Sequence, residues 1–591
     1  MGKLNRREFI YMSAILAATP IFANSHTRKT FETKKKLEDY YKLDNFGNVR
    51  LLHMTDTHAQ LLPVYFREPS VNLGFHSNFG KPPHIVGDKL MDYYGIKGNK
   101  RLEYAYSFLN FEKHAKVMGK TGGFSQIKTI VDYLRNNFKK ENTLLMDGGD
   151  TWQGSWSSLQ TRGKDMVGAM NLLGVDIAVG HWEFTYKAEE VMENLNELKA
   201  EFLAQNVKTK EDAMFEGAEA YDEDTGHTFK PYTIKELGGE RVAIIGQAFP
   251  YTTIANPSYN VPDWTFGVRP EDMQEIINKV RKEEKPAAII VLSHNGFDTD
   301  KKMAQVCEGI DFIMGGHTHD GVPEAEPVKN KSGKTTYVCN AGSNGKFLNV
   351  LDLDIKNGEI KDFKFTLLPI FSDLVKEDKE MKEYIEKVRK PFLTELNREI
   401  VTTDVTLYRR GNFNGTWDQL ICDALLEVKG AEISFSPGFR WGTSLLPGQT
   451  ITFDDLATQT ATTYPETYMR PMKGSDIKMI LEDVADNLFH EDPFYQQGGD
   501  MVRTGGISYT IDPKAPFGKR LSNIRLSKTQ KPLEPNKMYN VAGWATVNSK
   551  ADGEPIWETT EEYLKELKHI SKISLDTPDI LGIKGNPGIQ Y

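Results

Sequence analysis

One short stretch, residues 144–155, constrains the fold of this 591-residue chain more than any other. Its apolar run 144–146 ends abruptly in Asp147-Gly148-Gly149-Asp150, as a buried strand does where it opens into a loop. Open α/β sheets place their ligands at the carboxyl ends of such strands. We therefore expect Asp150 to lie at the functional edge of a sheet that is covered by helices.

Four further strand-like runs along the chain end in the same way. The residues that follow the five runs supply seven Asp and His side chains, namely Asp56, His58, Asp150, His181, His294, His317 and His319. A lone histidine at a strand end is usually a loop residue, but this ordered combination predicts two divalent ions bridged by Asp150. We assign one ion to Asp56, His58, Asp150 and His319, and the other to Asp150, His181, His294 and His317. Nitrogen and oxygen ligands without thiolate suit Mn, Zn or Fe.

The length and the order of the elements indicate more than one domain, since 591 residues exceed one typical core. Strand-like and helix-like segments alternate up to about residue 340, and later strands follow one another without helices. This order predicts an α/β fold (α+β overall) with a sandwich of two mixed sheets. The Pro-rich segment 64–120 is expected to be an elaborated loop region over the site.

The predicted organisation has five parts. They are a signal peptide (1–23), an N-terminal extension (24–48), a catalytic domain (49–372), a connecting helix (373–400) and a substrate-selecting C-terminal domain (401–591). Arg6-Arg7 followed by Phe9 and a short apolar run is typical of a twin-arginine export signal, with an ordinary secretory signal as the alternative. Because the run is far shorter than the ~20 residues of a membrane span, we expect a periplasmic protein without one.

Charge and cysteine content limit which partners and which disulfides the chain can have. A formal net charge of −9 disfavours nucleic acid, since phosphate binding needs a basic face. Cys307, Cys339 and Cys422 form no CxxC pair, so we expect buried free thiols rather than a disulfide framework. A monomer is expected.

Five motifs carry a resemblance to a known superfamily. Asp56-x-His58, Gly149-Asp150, Gly180-x-x-Glu183-Phe184, Ser293-His294 and Gly316-His317-Thr318-His319 resemble those of the calcineurin-like metallophosphoesterases. Gly438-x-Arg440 and Ala341-Gly342-Ser343 resemble, more narrowly, its 5′-nucleotidase branch. The resemblance covers essentially the whole mature chain. It implies a βα-sandwich catalytic domain, a smaller 5′-nucleotidase-like α+β domain, and a site in the cleft between them.

The chain departs from that branch at one motif. The branch usually reads Gly-Asn-His-Glu-Phe-Asp, in which Asn binds metal and His and Asp form an acid–base dyad. Here His181 stands at the Asn position, and Trp182 and Thr185 stand at the dyad positions. Neither of these two side chains can transfer a proton to a poor alkoxide leaving group, a step that typically contributes about 10²–10⁴-fold. A thiolate or persulfide leaving group needs this step much less.

The motif from Gly180 to Thr185, the elaborated segment after His58 and the stretch 436–442 together resemble the thiosulfohydrolase (SoxB) family of the Sox pathway. This resemblance implies two manganese ions and a sulfur carrier protein, SoxYZ, that presents a cysteine S-thiosulfonate on a flexible arm. Water would attack the terminal sulfonate sulfur and release sulfate. Asp150, His181 and Arg440 would be catalytic, with Arg440 binding the sulfonate. Trp182 would wall the substrate pocket, although ordinary packing explains it equally well.

Two other functions stay open at this point. One is a periplasmic 5′-nucleotidase or another phosphoesterase, which turnover of AMP would favour. The other is a binding protein that has kept the fold without activity. Loss of a ligand position would mark the second alternative, and all seven positions are filled here.

Overall fold

The computed structural model describes residues 41–590 except residues 548 and 550. The predicted signal peptide 1–23 and most of the predicted extension 24–48 lie outside the described residues. Among the helices that are described, none has the length and apolar character needed to cross a membrane.

Two six-stranded mixed sheets form the N-terminal part of the fold, so the predicted fold class is confirmed. In spatial order, the strands of the first sheet are Glu359–Pro369, Phe347–Lys356, Val49–Met54, Thr143–Asp147, Ile177–Ala178 and Glu201–Phe202. Those of the second sheet are Glu326–Lys329, Thr335–Asn340, Phe312–Gly315, Ala288–Ser293, Glu240–Gln247 and Tyr232–Leu237. The last four strands of the first sheet run parallel, as do the central four of the second.

The two sheets pack face to face, with helices on their outer sides. In the strand Ala288–Ser293, Ile290 belongs to the core shared with the first sheet. Its neighbour Ile289 belongs to a second core, under the helices Pro270–Glu283 and Phe297–Val306. Successive side chains of a strand point to opposite faces, so a strand covered on both faces needs a continuous apolar run. That requirement explains the apolar runs in the sequence.

The other helices of this part surround the sandwich. They are Phe124–Phe138, Trp156–Thr161, Lys164–Leu173, Ala188–Glu197, Glu211–Phe215 and Thr252–Ala255, with short 3₁₀ turns at His76–Asn78, Lys140–Asn142, Trp182–Thr185 and Ser258–Asn260. A small ribbon of Lys208–Thr209 and Trp264–Thr265 lies beside them.

The elaborated segment 64–120 differs from the expectation. It contains three helices, Gly87–Tyr93, Lys100–Tyr106 and Phe111–Met118, so the loop prediction is wrong over these residues. Tyr104 and Phe111 are buried in the core of the first sheet. Helices this short are marginal in isolation and are stabilised by tertiary packing, which the local sequence does not reveal.

The C-terminal part is α+β, as predicted, and holds three smaller sheets. Their strands are Glu399–Thr402 with Thr450–Thr452; Thr467–Lys473, Met538–Trp544, Ile433–Ser436 and Arg503–Gly505; and Leu521–Leu526, Ile507–Ile511 and Asp579–Ile580. Its helices are Thr416–Lys429, Phe453–Thr460, Gly474–Phe489 and Ile556–Leu567, with a 3₁₀ turn at Pro493–Tyr495. The helices Lys379–Arg389 and Leu393–Leu396, with the 3₁₀ turn Lys390–Phe392 between them, lie in the predicted connecting segment 373–400, and the first of them packs in the core of the N-terminal part through Met381 and Ile385. The exact domain limits stay predictions. All three cysteines are buried and unpaired, as predicted.

A buried ion pair ties the elaborated segment to the sandwich. The Nζ atom of Lys346 lies 2.7 Å from Oε1 of Glu68, and both side chains are buried. Burial lowers the pKa of Lys346, because the charged ammonium is removed from water, whereas Glu68 opposes this change. The pair therefore holds residue 68 against the strand that begins at Phe347.

We expect Glu68→Ala to destabilise the fold, because it leaves the ammonium of Lys346 buried without its carboxylate. Removal of one partner of a buried pair costs about 3–5 kcal/mol. Calorimetry of the full chain should show a lower Tm for this variant. The control Asp92→Ala, which removes an exposed partner of Lys97, should leave Tm unchanged. Equal Tm values for Glu68→Ala and the wild type would contradict the prediction.

Candidate metal centre

The fold brings all seven predicted ligands to one edge of the sandwich. They follow the carboxyl ends of five parallel strands, namely Val49–Met54, Thr143–Asp147 and Ile177–Ala178 of the first sheet and Ala288–Ser293 and Phe312–Gly315 of the second. Two groups could each hold a metal ion: Asp56, His58, Asp150 and His319, and Asp150, His181, His294 and His317. Within each group the candidate ligand atoms lie within 4.8 Å of one another, and all are buried.

The carboxylate of Asp150 lies between the two groups. Its Oδ1 atom is 3.1 Å from Nδ1 of His181, and its Oδ2 atom is 3.1 Å from Nε2 of His294. His58 of the other group has its Nε2 atom 3.6 Å from the same Oδ2 atom. The backbone N–H of Trp182 donates to Oδ1 at 2.8 Å and fixes the orientation of the carboxylate.

Asp56 holds the second carboxylate of the centre. It accepts hydrogen bonds from Oγ1 of Thr55 at 2.6 Å and from the backbone N–H of His317 at 3.0 Å. Its Oδ1 atom lies 3.2 Å from Nε2 of His319. That nitrogen is in turn 3.0 Å from Nε2 of His58. Two imidazole nitrogens this close require either a shared proton or a cation beside them.

Several buried nitrogens of the centre have no partner within the described part of the chain. They are Nε2 of His181, Nε2 of His317 and Nδ1 of His319. Buried polar atoms in folded proteins nearly always have a hydrogen-bond partner, so each such atom needs an explanation. Nδ1 of His319 is the ring nitrogen that faces away from Asp56 and His58, and its Nε2 atom is the candidate ligand. The imidazole and carboxylate atoms that do converge are ligands that divalent transition metals accept. The donor set therefore fits two metal ions.

Burial lowers the pKa of four histidines of the centre. They are His58, whose pKa falls to about 4, and His181, His317 and His319. The neutral imidazole is the form that binds metal, so these side chains are ready to coordinate. Burial also opposes charge on His294, but the carboxylates of Asp150 and Asp56 raise its pKa to about 10. The two carboxylates thus favour a positive charge at this point.

The backbone at the strand ends is held in an uncommon conformation. Asp56, His58, Asp150, His317 and His319 all have positive φ, between 46° and 73°. This region is rarely occupied by residues other than glycine, and it costs of order 1–3 kcal/mol each where it is found. The turns aim the five side chains at a common centre. A Cβ atom at Gly316 would lie only 2.3 Å from Oγ1 of Thr55, so this position requires glycine.

Glu183 ties the two ligand loops of the first sheet together. Its buried carboxylate accepts hydrogen bonds from the backbone N–H groups of Thr151 at 2.7 Å and of His181 at 2.8 Å. The N–H groups of Asp150 and Trp152 donate to it at 3.2 Å. Sequence reasoning placed Glu183 in a motif but missed this role. Its position two residues after His181 in the sequence was the signal available for this role.

A cavity of about 180 Å³ opens onto the centre between the two parts of the fold. Predicted ligands and Arg440 form its polar wall, and Trp182, Phe249, Phe439 and Trp441 form its aromatic wall. Trp182 is 4% exposed, with its ring centroid 4.8 Å from that of Trp441. Trp182 therefore lines the cavity and also packs in an aromatic cluster, and its role toward a substrate stays a prediction.

Arg440 reaches the centre from the C-terminal part. Its Nη1 atom donates to the carbonyl of His317 at 3.3 Å, and Nη2 donates to the carbonyl of Gly499 at 2.5 Å. Its Nε atom lies 3.4 Å from Oδ1 of Asp500. A guanidinium has five N–H donors, so these contacts leave two for a ligand in the cavity.

Two residues beside the ligands were missed at the sequence level. The ring of Phe249 stacks on His317 with centroids 4.2 Å apart and contacts His181 at 4.0 Å. Arg410 donates from Nη2 to the carbonyl of Thr318 at 3.3 Å. Phe249 follows the strand Glu240–Gln247 closely, a weak signal, and nothing in the sequence distinguished Arg410 from a surface arginine.

Comparisons with known proteins agree with this fold. Residues 396–560 match the C-terminal domain family of 5′-nucleotidases. The chain is 26% identical over 464 residues to 5′-nucleotidase of Rattus norvegicus, covering 71% of this chain and 76% of that protein. It is 26% identical over 495 residues to protein UshA of Yersinia enterocolitica, covering 75% and 84%.

Two solved structures share the architecture. The sulfate thiohydrolase SoxB of Thermus thermophilus, in complex with glycerol, superposes with a TM-score of 0.83 and 32% identity, covering 91% of this chain and 98% of that one. A 5′-nucleotidase precursor, also of Thermus thermophilus, has a TM-score of 0.70 and 22% identity, covering 90% and 99%, which shows the shared fold. The chain belongs to the 5′-nucleotidase family of the calcineurin-like phosphoesterases. It is a metal-dependent hydrolase.

We expect Glu183→Gln to weaken metal binding about 10- to 100-fold, as loss of outer contacts to ligands typically does. The new amide NH₂ group would face backbone N–H donors and release the loops of Asp150 and His181. Titration calorimetry of Mn²⁺ into chelator-treated protein measures the effect. Glu193→Gln, at an exposed partner of Lys164, is the matched control. Unchanged affinity in Glu183→Gln would rule out the positioning role.

Proposed function

We propose that this protein is a thiosulfohydrolase, which hydrolyses the terminal sulfonate of a cysteine S-thiosulfonate on a carrier protein and releases sulfate. The similarity to SoxB of Thermus thermophilus at 32% identity supports this substrate class. The observation that carries the proposal is that, among the described residues, the cavity lining offers no free acid to protonate a leaving group.

The ionisable groups that line the cavity are few. Among the described residues they are five of the predicted ligands (His58, Asp150, His181, His317 and His319), Arg440 and Asp500. Burial opposes ionisation of Asp500, but Arg440 and Arg503 lower its pKa, so it remains a carboxylate and does not donate a proton. Arg440 carries its proton too firmly to act as an acid.

The two positions of the usual acid–base dyad are occupied by packing residues. Trp182 lies in a cluster with Trp441 and Tyr464. The Oγ1 atom of Thr185 lies 2.8 Å from that of Thr463 in the C-terminal part. A leaving group at this site must therefore depart as an anion. A persulfide does so readily, whereas the alkoxide of a nucleotide depends on proton transfer.

The proposed reaction is balanced with water alone. The water oxygen bonds to the terminal sulfur, and the bond from that sulfur to the sulfane sulfur breaks. The electron pair leaves with the sulfane sulfur, so the carrier retains a cysteine persulfide. Sulfate departs, and the two protons of water pass to the persulfide and the buffer.

The residues of the centre have separate proposed roles in metal binding, sulfonate binding and lining of the pocket. The seven predicted ligands would hold two divalent ions, which we propose to be Mn²⁺, with Asp150 shared between them; such ions supply an activated water and neutralise developing charge. Arg440 would direct its two remaining N–H groups to sulfonate oxygens, in charge-assisted hydrogen bonds. His181 and Asp150 would face the reacting sulfur across the cavity, and Trp182 would wall it.

The proposal includes the setting of the enzyme. We propose a monomer that is exported to the periplasm by the twin-arginine signal predicted at residues 1–23. Its partner would be a sulfur carrier protein such as SoxYZ, whose cysteine is presented on a flexible arm. The narrow cavity of about 180 Å³ favours such an arm over a folded protein surface.

Two substrates assayed in parallel test the function. Purified Mn²⁺-loaded enzyme should release sulfate from an S-thiosulfonated cysteine peptide and little phosphate from AMP. Ion chromatography measures both anions, and chelator-treated enzyme is the control. Phosphate release without sulfate would overturn the proposal and favour a periplasmic 5′-nucleotidase or related phosphoesterase.

We expect the double variant Trp182→His with Thr185→Asp to gain AMP hydrolysis. It installs the residue types of the usual dyad, and general acid–base catalysis contributes about 10²-fold or more. Sulfate release should not rise, because the persulfide needs no acid. Trp182→Phe with Thr185→Val opens similar space without titratable groups. An equal gain of AMP hydrolysis in that control would show that space, rather than proton transfer, limits the reaction.

A further inference from the structure

A row of buried charged side chains extends from Arg440 into the C-terminal part of the fold. We infer that two members of this row, Arg503 and Asp418, are positioning residues, which act through Asp500 to fix the Arg440 guanidinium in the orientation that binds a sulfonate. The inference rests on the proposed function, since it concerns how the same site binds its substrate.

Asp500 joins Arg440 to the next member of the row. Its Oδ1 atom lies 3.4 Å from Nε of Arg440, and its Oδ2 atom lies 3.2 Å from Nη2 of Arg503. The side chains of Asp500 and Arg503 are both buried. One carboxylate therefore contacts both guanidinium groups, and the orientation of Arg440 depends on where Arg503 holds Asp500.

Asp418 anchors Arg503 from the helix Thr416–Lys429. Its Oδ2 atom lies 3.3 Å from Nε of Arg503, and its Oδ1 atom accepts from Nε of Arg409 at 2.9 Å. The carbonyl of Gly411 accepts a hydrogen bond from Nη2 of Arg503 at 3.0 Å. The row of alternating charge thus consists of Arg440, Asp500, Arg503, Asp418 and Arg409.

The backbone beside the row is closely packed. The strand Arg503–Gly505 pairs with the strand Ile433–Ser436, whose end precedes the loop of Arg440. The N–H of Asp500 donates to the carbonyl of Gly438 at 2.9 Å, and a Cβ atom at Gly438 would lie only 2.3 Å from the carbonyl oxygen of Asp500. Both loops are thus fixed against each other, which leaves the side-chain contacts of the row to set the direction of Arg440.

The far end of the row reaches the aromatic wall of the cavity at the metal centre. The guanidinium carbon of Arg409 lies 5.8 Å from the ring centroids of Phe439 and of Trp441, and these two rings stack with centroids 3.9 Å apart. Both residues line the cavity and flank Arg440 in the sequence. The row therefore supports Arg440 and the two aromatic residues beside it.

Positioning explains the row better than stability does. Replacement of a buried ion pair by apolar residues of similar volume is often neutral or stabilising, so buried pairs are weak evidence for a stabilising role. Arginine presents its N–H donors in a planar fork, which fixes direction as well as charge. A guanidinium that is already held in the binding orientation loses little conformational freedom when a ligand arrives.

The charges of the row favour an anion at its Arg440 end. Three guanidinium groups alternate with two carboxylates, which leaves one excess positive charge. A buried charge is unfavourable unless it is paired. Arg440 lines the cavity at the metal centre, so a sulfonate or sulfate bound there would complete the alternation of charge.

Binding of inorganic sulfate to the full-length, Mn²⁺-loaded enzyme tests the inference. Arg503→Lys keeps the charge but loses the fork that reaches both carboxylates. We expect Kd for sulfate, measured by titration calorimetry, to rise roughly tenfold, as for the weakening of one charge-assisted hydrogen bond. KM for S-thiosulfonated N-acetylcysteine should rise by a similar factor with kcat unchanged, because an interaction common to ground state and transition state is lost.

Asp418→Asn separates positioning from simple electrostatics. Removal of a negative charge would by itself tighten sulfate binding, whereas loss of the anchor of Arg503 weakens it. We expect weaker binding. Neither Arg503 nor Asp418 is among the described residues that line the cavity, so their effect on sulfate must pass through Asp500. This variant is nearly isosteric, and it keeps the test available if Arg503→Lys does not fold.

A double-mutant cycle with Arg440→Ala adds a measurement that a merely structural role would not change. In the Arg440→Ala background, Arg503→Lys should not weaken sulfate binding further, because the group that Arg503 positions is absent. Arg50→Lys is the matched control, since Arg50 forms an equally buried ion pair with Asp352, with 2.6 Å between Nε and Oδ1. This control should lower Tm and leave Kd for sulfate unchanged.

The outcomes distinguish the two proposals. Unchanged sulfate binding in Arg503→Lys, unchanged or tighter binding in Asp418→Asn, or additive effects in the cycle overturn the positioning role and leave the proposed function intact. If the wild-type enzyme releases no sulfate from the thiosulfonate, the proposed function fails, and the Kd values for sulfate still decide whether the row positions Arg440.

Discussion

The structure depends on one arrangement of charge, the buried carboxylate of Asp150 among imidazoles. It lies 3.1 Å from both His181 and His294, which belong to loops from different sheets. Burial of a carboxylate costs free energy unless the group is paired and hydrogen-bonded. The two sheets must therefore keep their relative position, so that both histidines stay beside Asp150. Five parallel strands end at this point, and the face-to-face packing of the sandwich fixes the distances between their ends.

Much of the surrounding structure serves to hold that arrangement rigid. Positive φ angles at Asp56 and His317 are unfavourable by themselves, and they persist where surrounding contacts determine the backbone. Glu183 supplies such contacts, because its carboxylate accepts from the backbone N–H groups of Thr151 and His181, one in each ligand loop of the first sheet. Preorganised ligands of this kind bind metal without a further cost of ordering the loops.

The C-terminal part supplies one wall of the cavity at the centre. Arg440 joins the carbonyls of His317 and Gly499, so it connects the two parts of the fold directly at the site. The aromatic cluster around Trp182 closes one side of the cavity at the metal centre.

The sequence alone determined the sandwich and the group of seven side chains, because a buried parallel strand needs an apolar run and a turn at its end. Those signals are local, and they also placed Asp150 at the junction of the two groups. Only the tertiary structure decided the helices within 64–120 and the role of Glu183. Each of these depends on contacts between segments far apart in the chain, such as the packing of Tyr104 against the first sheet. Such contacts cannot be predicted from the local sequence, because the free energy that stabilises them comes from burial of apolar surface in the complete fold.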